Sequence, residues 1–296
     1  MIKFIKDITL TILLTFILFV FLTNSSLVIN AVNQSISVFV KNVLPSLMPF
    51  FILTDILLNY KYFDNLKHIF KFKYVNFLIV SMISGLPSNA KYLSYMIKNN
   101  SISISDASRV LAFSFFPNPM FIIGTVGVLL NNKVYPIIVL GILYLSSFIV
   151  YLINYKSLEN KDFVSDKSKV EFFNLLKSSI QNSFSALLVI LGVIVVFTII
   201  INIVKEYLRI NQLTLTIINI ILELTTGVKS ISILNIPLVY KYTLLAFGIS
   251  MSGISVIMQA FGIMSGYKLN YKIFIKNKVL VILISIILTF IVFKNI

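Results

Sequence analysis

Of 296 residues, 58% are hydrophobic and only 12% charged, and 25 Lys and Arg against 10 Asp and Glu give a formal net charge of +15. A water-soluble domain runs nearer ~45–50% apolar and ~25% charged, so the surplus apolar surface excludes a soluble globule and requires a lipid surround. The chain has no cysteine and one histidine, His68, which excludes disulfides, thiolate catalysis and cysteine metal sites.

Lys3 and Lys6 precede an apolar run, Ile8–Leu22, that reads as a retained first spanning helix, because no A-x-A-like cleavage site follows it. Asn24–Asn42 carries Asn30, Asn33, Gln34, Ser35 and Ser37 and reads as an amphipathic or partly buried helix. Pro45–Leu58 is short and apolar, with two prolines and Asp55. Lys61–Lys73 is a basic loop around His68. Val75–Ile83 re-enters the membrane and meets the small-residue stretch Ser84–Lys91. The mixed residues 92–110 carry Asp106 and Arg109, and Pro136–Leu152 is an ordinary span.

Tyr155–Lys177 alternates both charge signs, as a solvated linker does. It divides the chain into a first half, residues 1–155, a linker, 156–177, and a second half, 178–296. The second half opens with the span Ser185–Asn202, followed by Ile210–Thr226, Pro237–Phe247, a basic turn at Lys268–Lys278 and a last span, Val279–Phe293. At ~20 apolar residues per crossing, roughly eight to ten membrane-embedded segments are expected, some of them not full crossings. The fold class is an all-α polytopic membrane helix bundle with two repeat-related halves and broken helices or re-entrant hairpins.

Two segments break the apolar rule. Residues 111–127 read LAFSFFPNPMFIIGTVG and residues 245–262 read LAFGISMSGISVIMQAFG. Both open on Leu-Ala-Phe and both set small residues, Gly or Pro into an apolar run. Irregular backbone at membrane depth is tolerated where it lines a cavity or is buried in protein, and a matched pair of interruptions marks a transporter-type site. Each half also offers an earlier break followed by a lysine: Gly85 and Pro87 before Lys91, and Gly227 before Lys229. Broken-helix elements are thus expected near 84–91, 114–120, 225–229 and 248–255. Whether the halves are inverted or parallel is not set by the spacing.

Candidate substrate contacts follow from these breaks. Pro117 and Pro119 flank Asn118 and free backbone carbonyls that need a polar partner: a solute, water or a neighbouring helix. Asn89 and Ser114 lie in the same first-half breaks. In the second half Gly253 interrupts the run, and Ser252, Ser255 and Gln259 share a face at i, i+3 and i+7, suited either to solute contact or to close helix packing. Gln212, Thr216, Asn219, Glu223 and Thr226 form a polar stripe along Ile210–Thr226. Its one charge, Glu223, either pairs with Lys229 or takes up a proton coupled to transport. Lys91 and Lys229 suit a small carboxylate solute if they face the site, and reach the headgroups if they do not. No catalytic constellation, P-loop or dinucleotide fingerprint is present, so no enzyme, cofactor or metal is expected. The basic charge is spread over short loops, which points to the bilayer surface rather than nucleic acid. An oligomer is left open.

GLPSNAK at Gly85–Lys91, the stretch from Asp106 through Phe113, NPMFIIGTVG at Asn118–Gly127 and SGISVIMQ at Ser252–Gln259 resemble the sporulation integral membrane protein family called YlbJ or SpoVV. The resemblance runs from about Pro45 to the last span. Ser88-Asn89 stands where that family has a more Gly-rich turn, and Ser252-Gly-Ile-Ser where it has more Gly and a His. The family is grouped with nucleoside-recognition Gate domain proteins and is similar in plan to concentrative nucleoside transporters. The resemblance implies transport of a small anionic solute, dipicolinic acid, in endospore formation, at the cytoplasmic membrane or the outer forespore membrane. The alternatives are a non-transporting sporulation scaffold or sensor, and a nucleoside carrier.

Overall fold

In a bilayer every backbone polar group must be satisfied inside the protein, and a helix does this within its own segment. The apolar runs take that form. The computed structural model describes residues 2–59, 73–86, 88–98, 100–159, 171–207 and 210–296. His68 and most of its basic loop, Pro87, and residues 160–170 of the charged linker lie outside the described residues. Among the described residues there is no strand, and the chain is an all-α polytopic bundle. Among the described residues five stretches are long and apolar enough to cross a membrane: Ser25–Leu53, Val134–Ser157, Phe172–Tyr207, Leu238–Ile263 and Tyr271–Lys294.

The first half contains α1 (Ile2–Thr23), α2 (Ser25–Val38), α3 (Leu44–Asn59), α4 (Val75–Ser84), α5 (Ser88–Lys98), α6 (Ile104–Phe113), the single turn α7 (Gly127–Leu129) and α8 (Val134–Asn154). A π-helical turn, Phe39–Val43, joins α2 to α3, and another, Phe121–Val126, leads into α7. The two segments expected on either side of residue 43 are therefore one long, interrupted helix. The second half contains α9 (Phe172–Tyr207), α10 (Gln212–Leu222), α11 (Leu224–Ser232), α12 (Leu238–Met251), α13 (Gly253–Ile263) and α14 (Tyr271–Lys294). From α2–α3 and from α9 onward the order is the same: a long helix, a helix pair split by a short break, a broken helix, and a long helix.

Three boundaries differ from the sequence expectation. α9 begins at Phe172 rather than Ser185, so the end of the charged stretch is already helical. The polar stripe does not run along one helix, because Ile210–Thr226 is interrupted at Glu223. The basic turn ends early: Asn270 caps α14 by accepting from the Ile273 amide, and Lys272, Lys276 and Lys278 all lie on that helix.

The core is centred on the first broken helix. Phe113, Phe115 and Phe116 are at most 1% exposed. Phe113 packs edge-on to Tyr151 and Phe116 edge-on to Tyr144, both on α8, while Phe115 packs edge-on to Phe274 of α14. Lipid is as apolar as these rings, so the gain is close packing and ring geometry rather than transfer out of water.

Candidate functional site: a cavity between two pairs of breaks

In the first half the two breaks bond to each other. Gly85 ends α4 at φ +63° and ψ −172°, a conformation essentially confined to glycine. A Cβ there would stand 2.6 Å from both the Cα and N of Asn118, so the chains touch backbone to backbone. The Leu86 amide donates to the Phe116 carbonyl at 2.9 Å, and the Asn118 carboxamide donates to the Ser84 carbonyl at 3.1 Å. Asn89, on α5, donates to the Ser114 carbonyl. Asn118 Oδ1 also accepts from the Met120 amide at 2.8 Å, which starts the helical turn after Pro119. The carbonyls freed around Pro117 and Pro119 thus find partners within the protein. One partner was not anticipated. Lys278 of α14, 4% exposed, reaches the Phe115 carbonyl at 3.4 Å and stands 4.1 Å above the Phe115 ring. The ring face and the carbonyl together hold the buried ammonium.

The second half repeats the contact with different residues. Glu223 sits in extended backbone between α10 and α11. Its carboxylate accepts from the amides of Thr225 (3.0 Å) and Thr226 (2.7 Å) and from the Thr226 hydroxyl (2.9 Å), capping α11. A carboxylate at a helix N-terminus is favoured by both the free amides and the helix dipole. α12 ends at Ser252, which is left-handed at φ 68°, and Gly253 follows at φ +72°. A Cβ on Gly253 would lie 3.2 Å from the Leu224 amide nitrogen, so this break rests on the Glu223 break.

The break expected near 225–229 is therefore at 222–224. Gly227 lies inside α11, where its missing Cβ lets the helix approach Ile220 of α10; a methyl group would be 2.7 Å from the Ile220 Cα. No ion pair joins Glu223 to Lys229 among the described residues, because Glu223 turns to the α11 amides and Lys229 is exposed in the last turn.

An open-sided cavity, about 580 Å³ of empty space with its mouth included, lies where the two pairs meet. The first pair supplies Leu86, Pro117 and Asn118; the second supplies Glu223, Thr225 and Ser252, with Gln259 nearly two helix turns further along α13. Leu47 of α3 and Ile190 and Ile194 of α9 complete an apolar wall. Five sequence candidates thus converge: Pro117, Asn118, Glu223, Ser252 and Gln259. Asn89 and Gly85 brace the first break. Ser114 and Ser255 are buried, with hydroxyls that have no hydrogen-bond partner among the described residues. Pro119 is half-buried in the turn after Asn118. Lys91 faces a second cavity, where it pairs with Asp55 at 3.3 Å.

A protein of Bacillus subtilis strain 168 described as sporulation integral membrane protein YlbJ is 25% identical to this chain, over 82% of the chain and 72% of its own length. The match supports membership of the YlbJ family. No family model and no solved structure matches the chain. The YlbJ similarity and the five spans support an integral membrane protein with a membrane-associated role in sporulation.

Sequence reasoning missed Lys278, Thr225 and the α3 and α9 walls. Asn270 was a usable signal for Lys278: an Asn three residues before an apolar run is a helix start, and it moves Lys278 from a turn into a span. The walls carry no polar marker and left none to find. The lining offers two carboxamides, hydroxyls and one carboxylate on an otherwise apolar surface, which is the make-up of a small-molecule site.

Proposed function

We propose that the protein carries a small solute across a membrane of the sporulating cell, holding it in the cavity between the two pairs of breaks, and that the solute is dipicolinate. The observation that supports this most is the meeting of irregular backbone from both halves of the chain on one cavity. α13 begins at its edge with no side chain capping its amides. A helix N-terminus of this kind favours a carboxylate. Asn118 and Gln259 would then hold the rest of an aromatic acid against the apolar wall of α3 and α9. Glu223 is the group suited to coupling, since it is the one carboxylate in the described lining. Alternating access would shift one broken pair against the other. The outer forespore membrane is the location that the family resemblance favours.

A second reading has an observation of its own. Neither lysine nor arginine is among the described lining residues, and carboxamides with a carboxylate suit the neutral donor and acceptor edges of a nucleoside. Purified protein in liposomes, given labelled dipicolinate or labelled uridine, separates the readings. Dipicolinate uptake that Asn118→Ala and Gln259→Ala reduce supports the proposal. Uridine uptake alone supports the nucleoside carrier, and uptake of neither supports a scaffold that transports nothing.

A further inference from the structure

The second cavity, also open-sided and about 340 Å³ with its mouth included, lies on the same helices as the first. On α3 the lining steps from Leu47 in the central cavity to Asp55 in the second, eight residues along. On α9 it steps from Ile190 back to Asn182, again eight residues. At ~1.5 Å per residue both steps are about 12 Å, and α13 follows in the same sense from Gln259 to Ile263. The two cavities are stacked along one column of helices, with α5 closing the side: Leu86 precedes it at the central cavity and Lys91 lies on it at the second.

The second cavity holds a polar cluster that the central site does not use. Lys91 Nζ stands 3.3 Å from one Asp55 oxygen, and Asn182 donates to the other at 3.1 Å. The Asp55 side chain is 13% exposed and that of Lys91 51%, so the carboxylate sits inside and the ammonium at the rim. Three different helices, α3, α5 and α9, are tied together at this point.

We infer that the second cavity is the vestibule of the path to the central cavity, and that the Asp55–Lys91 pair is its gate. The ligand class is a small carboxylate. Asp55 occupies Lys91 when the gate is closed, and a carboxylate of the solute takes its place on Lys91 when the gate opens, releasing α5 from α3. The inference rests on the transport reading, and it assigns Lys91 a role in entry rather than in central binding.

The chain has no cysteine, so single introduced thiols report access without background. Ser183→Cys places one in the vestibule and Leu47→Cys places one in the central cavity. In membrane vesicles, a membrane-impermeant thiol reagent should label Ser183→Cys from one face only and Leu47→Cys slowly from that same face. Adding Asp55→Asn or Lys91→Gln should speed Leu47→Cys labelling roughly twofold to fivefold, the factor that about 0.4–1 kcal/mol of lost pairing gives. The reversed pair, Asp55→Lys with Lys91→Asp, should restore the slow rate, which guards against a merely misfolded variant. Dipicolinate should protect Ser183→Cys, and the protection should vanish with Lys91→Gln. Labelling of Leu47→Cys that ignores the ion pair, or no reaction of Ser183→Cys from either face, overturns the inference. These rates need no uptake. Absent uptake with pair-dependent access refutes transport alone, and normal uptake with pair-independent access refutes the gate alone.

Discussion

Gly85→Ala tests the mutual support of the first two breaks most directly. The backbone there has φ +63° and ψ −172°, a conformation that costs a residue with a Cβ about 1–3 kcal/mol. The added carbon would lie 2.6 Å from two backbone atoms of Asn118 and 2.9 Å from the Pro117 carbonyl carbon. No side-chain rotation relieves a clash with backbone, so the breaks must part. Parting them breaks the Leu86 to Phe116 and Asn118 to Ser84 hydrogen bonds, at about 1–3 kcal/mol for each bond lost. The sum is roughly 3–9 kcal/mol. At ~2–4 °C per kcal/mol, its lower end is a fall in Tm of about 6 °C or more. The assay is thermal unfolding in detergent, with Gly262→Ala as control, since a Cβ at Gly262 meets nothing within 4 Å. A Gly85→Ala protein that melts together with wild type and the control would falsify the claim that the two breaks are in backbone contact.

Three other outcomes follow from the same geometry. Glu223→Ala strands the Thr225 and Thr226 amides and should lower stability by about 1–2 kcal/mol, with Glu223→Gln in between because it keeps one acceptor oxygen; an Ala variant as stable as wild type would show that the cap contributes nothing. Lys278→Arg keeps a donor on the Phe115 carbonyl and should reach normal membrane levels, whereas Lys278→Glu sets a negative charge against that carbonyl and the ring face and should not accumulate; equal levels of the two would remove Lys278 as a brace. Gln259 makes no hydrogen bond within the protein among the described residues, so Gln259→Ala should leave the Tm unchanged and raise the KM for solute by roughly threefold to tenfold, the value of one hydrogen bond; an unaltered KM removes Gln259 from the solute.

The first-half breaks were legible because of their punctuation: Pro117 and Pro119 cannot continue a helix at a bearable cost, and Gly85 stands two residues before Pro87. What the residues did not disclose is that the two breaks would answer each other's hydrogen bonds, since that depends on how α4 and α6 meet. The break at Glu223 was hidden. Leu222, Glu223 and Leu224 are all compatible with helix, and the interruption exists because a carboxylate can cap the helix that follows. Gly227, four residues on, drew attention to itself for a different reason, its contact with Ile220. Lys91 stood out in the sequence as an unusual cation; its partner is Asp55, 36 positions earlier in the chain, and no local pattern joins them.

The cross-bonding of the first two breaks bears on how the chain enters the bilayer during synthesis. When α4 and α5 emerge, the Leu86 amide and the Ser84 carbonyl lack their partners, which lie beyond α5 and α6 at Phe116 and Asn118. Lipid offers nothing to bond with in the interval. The break between α4 and α5 must therefore wait in a wet place, at the membrane surface or against an insertion machine, until Asn118 has been made.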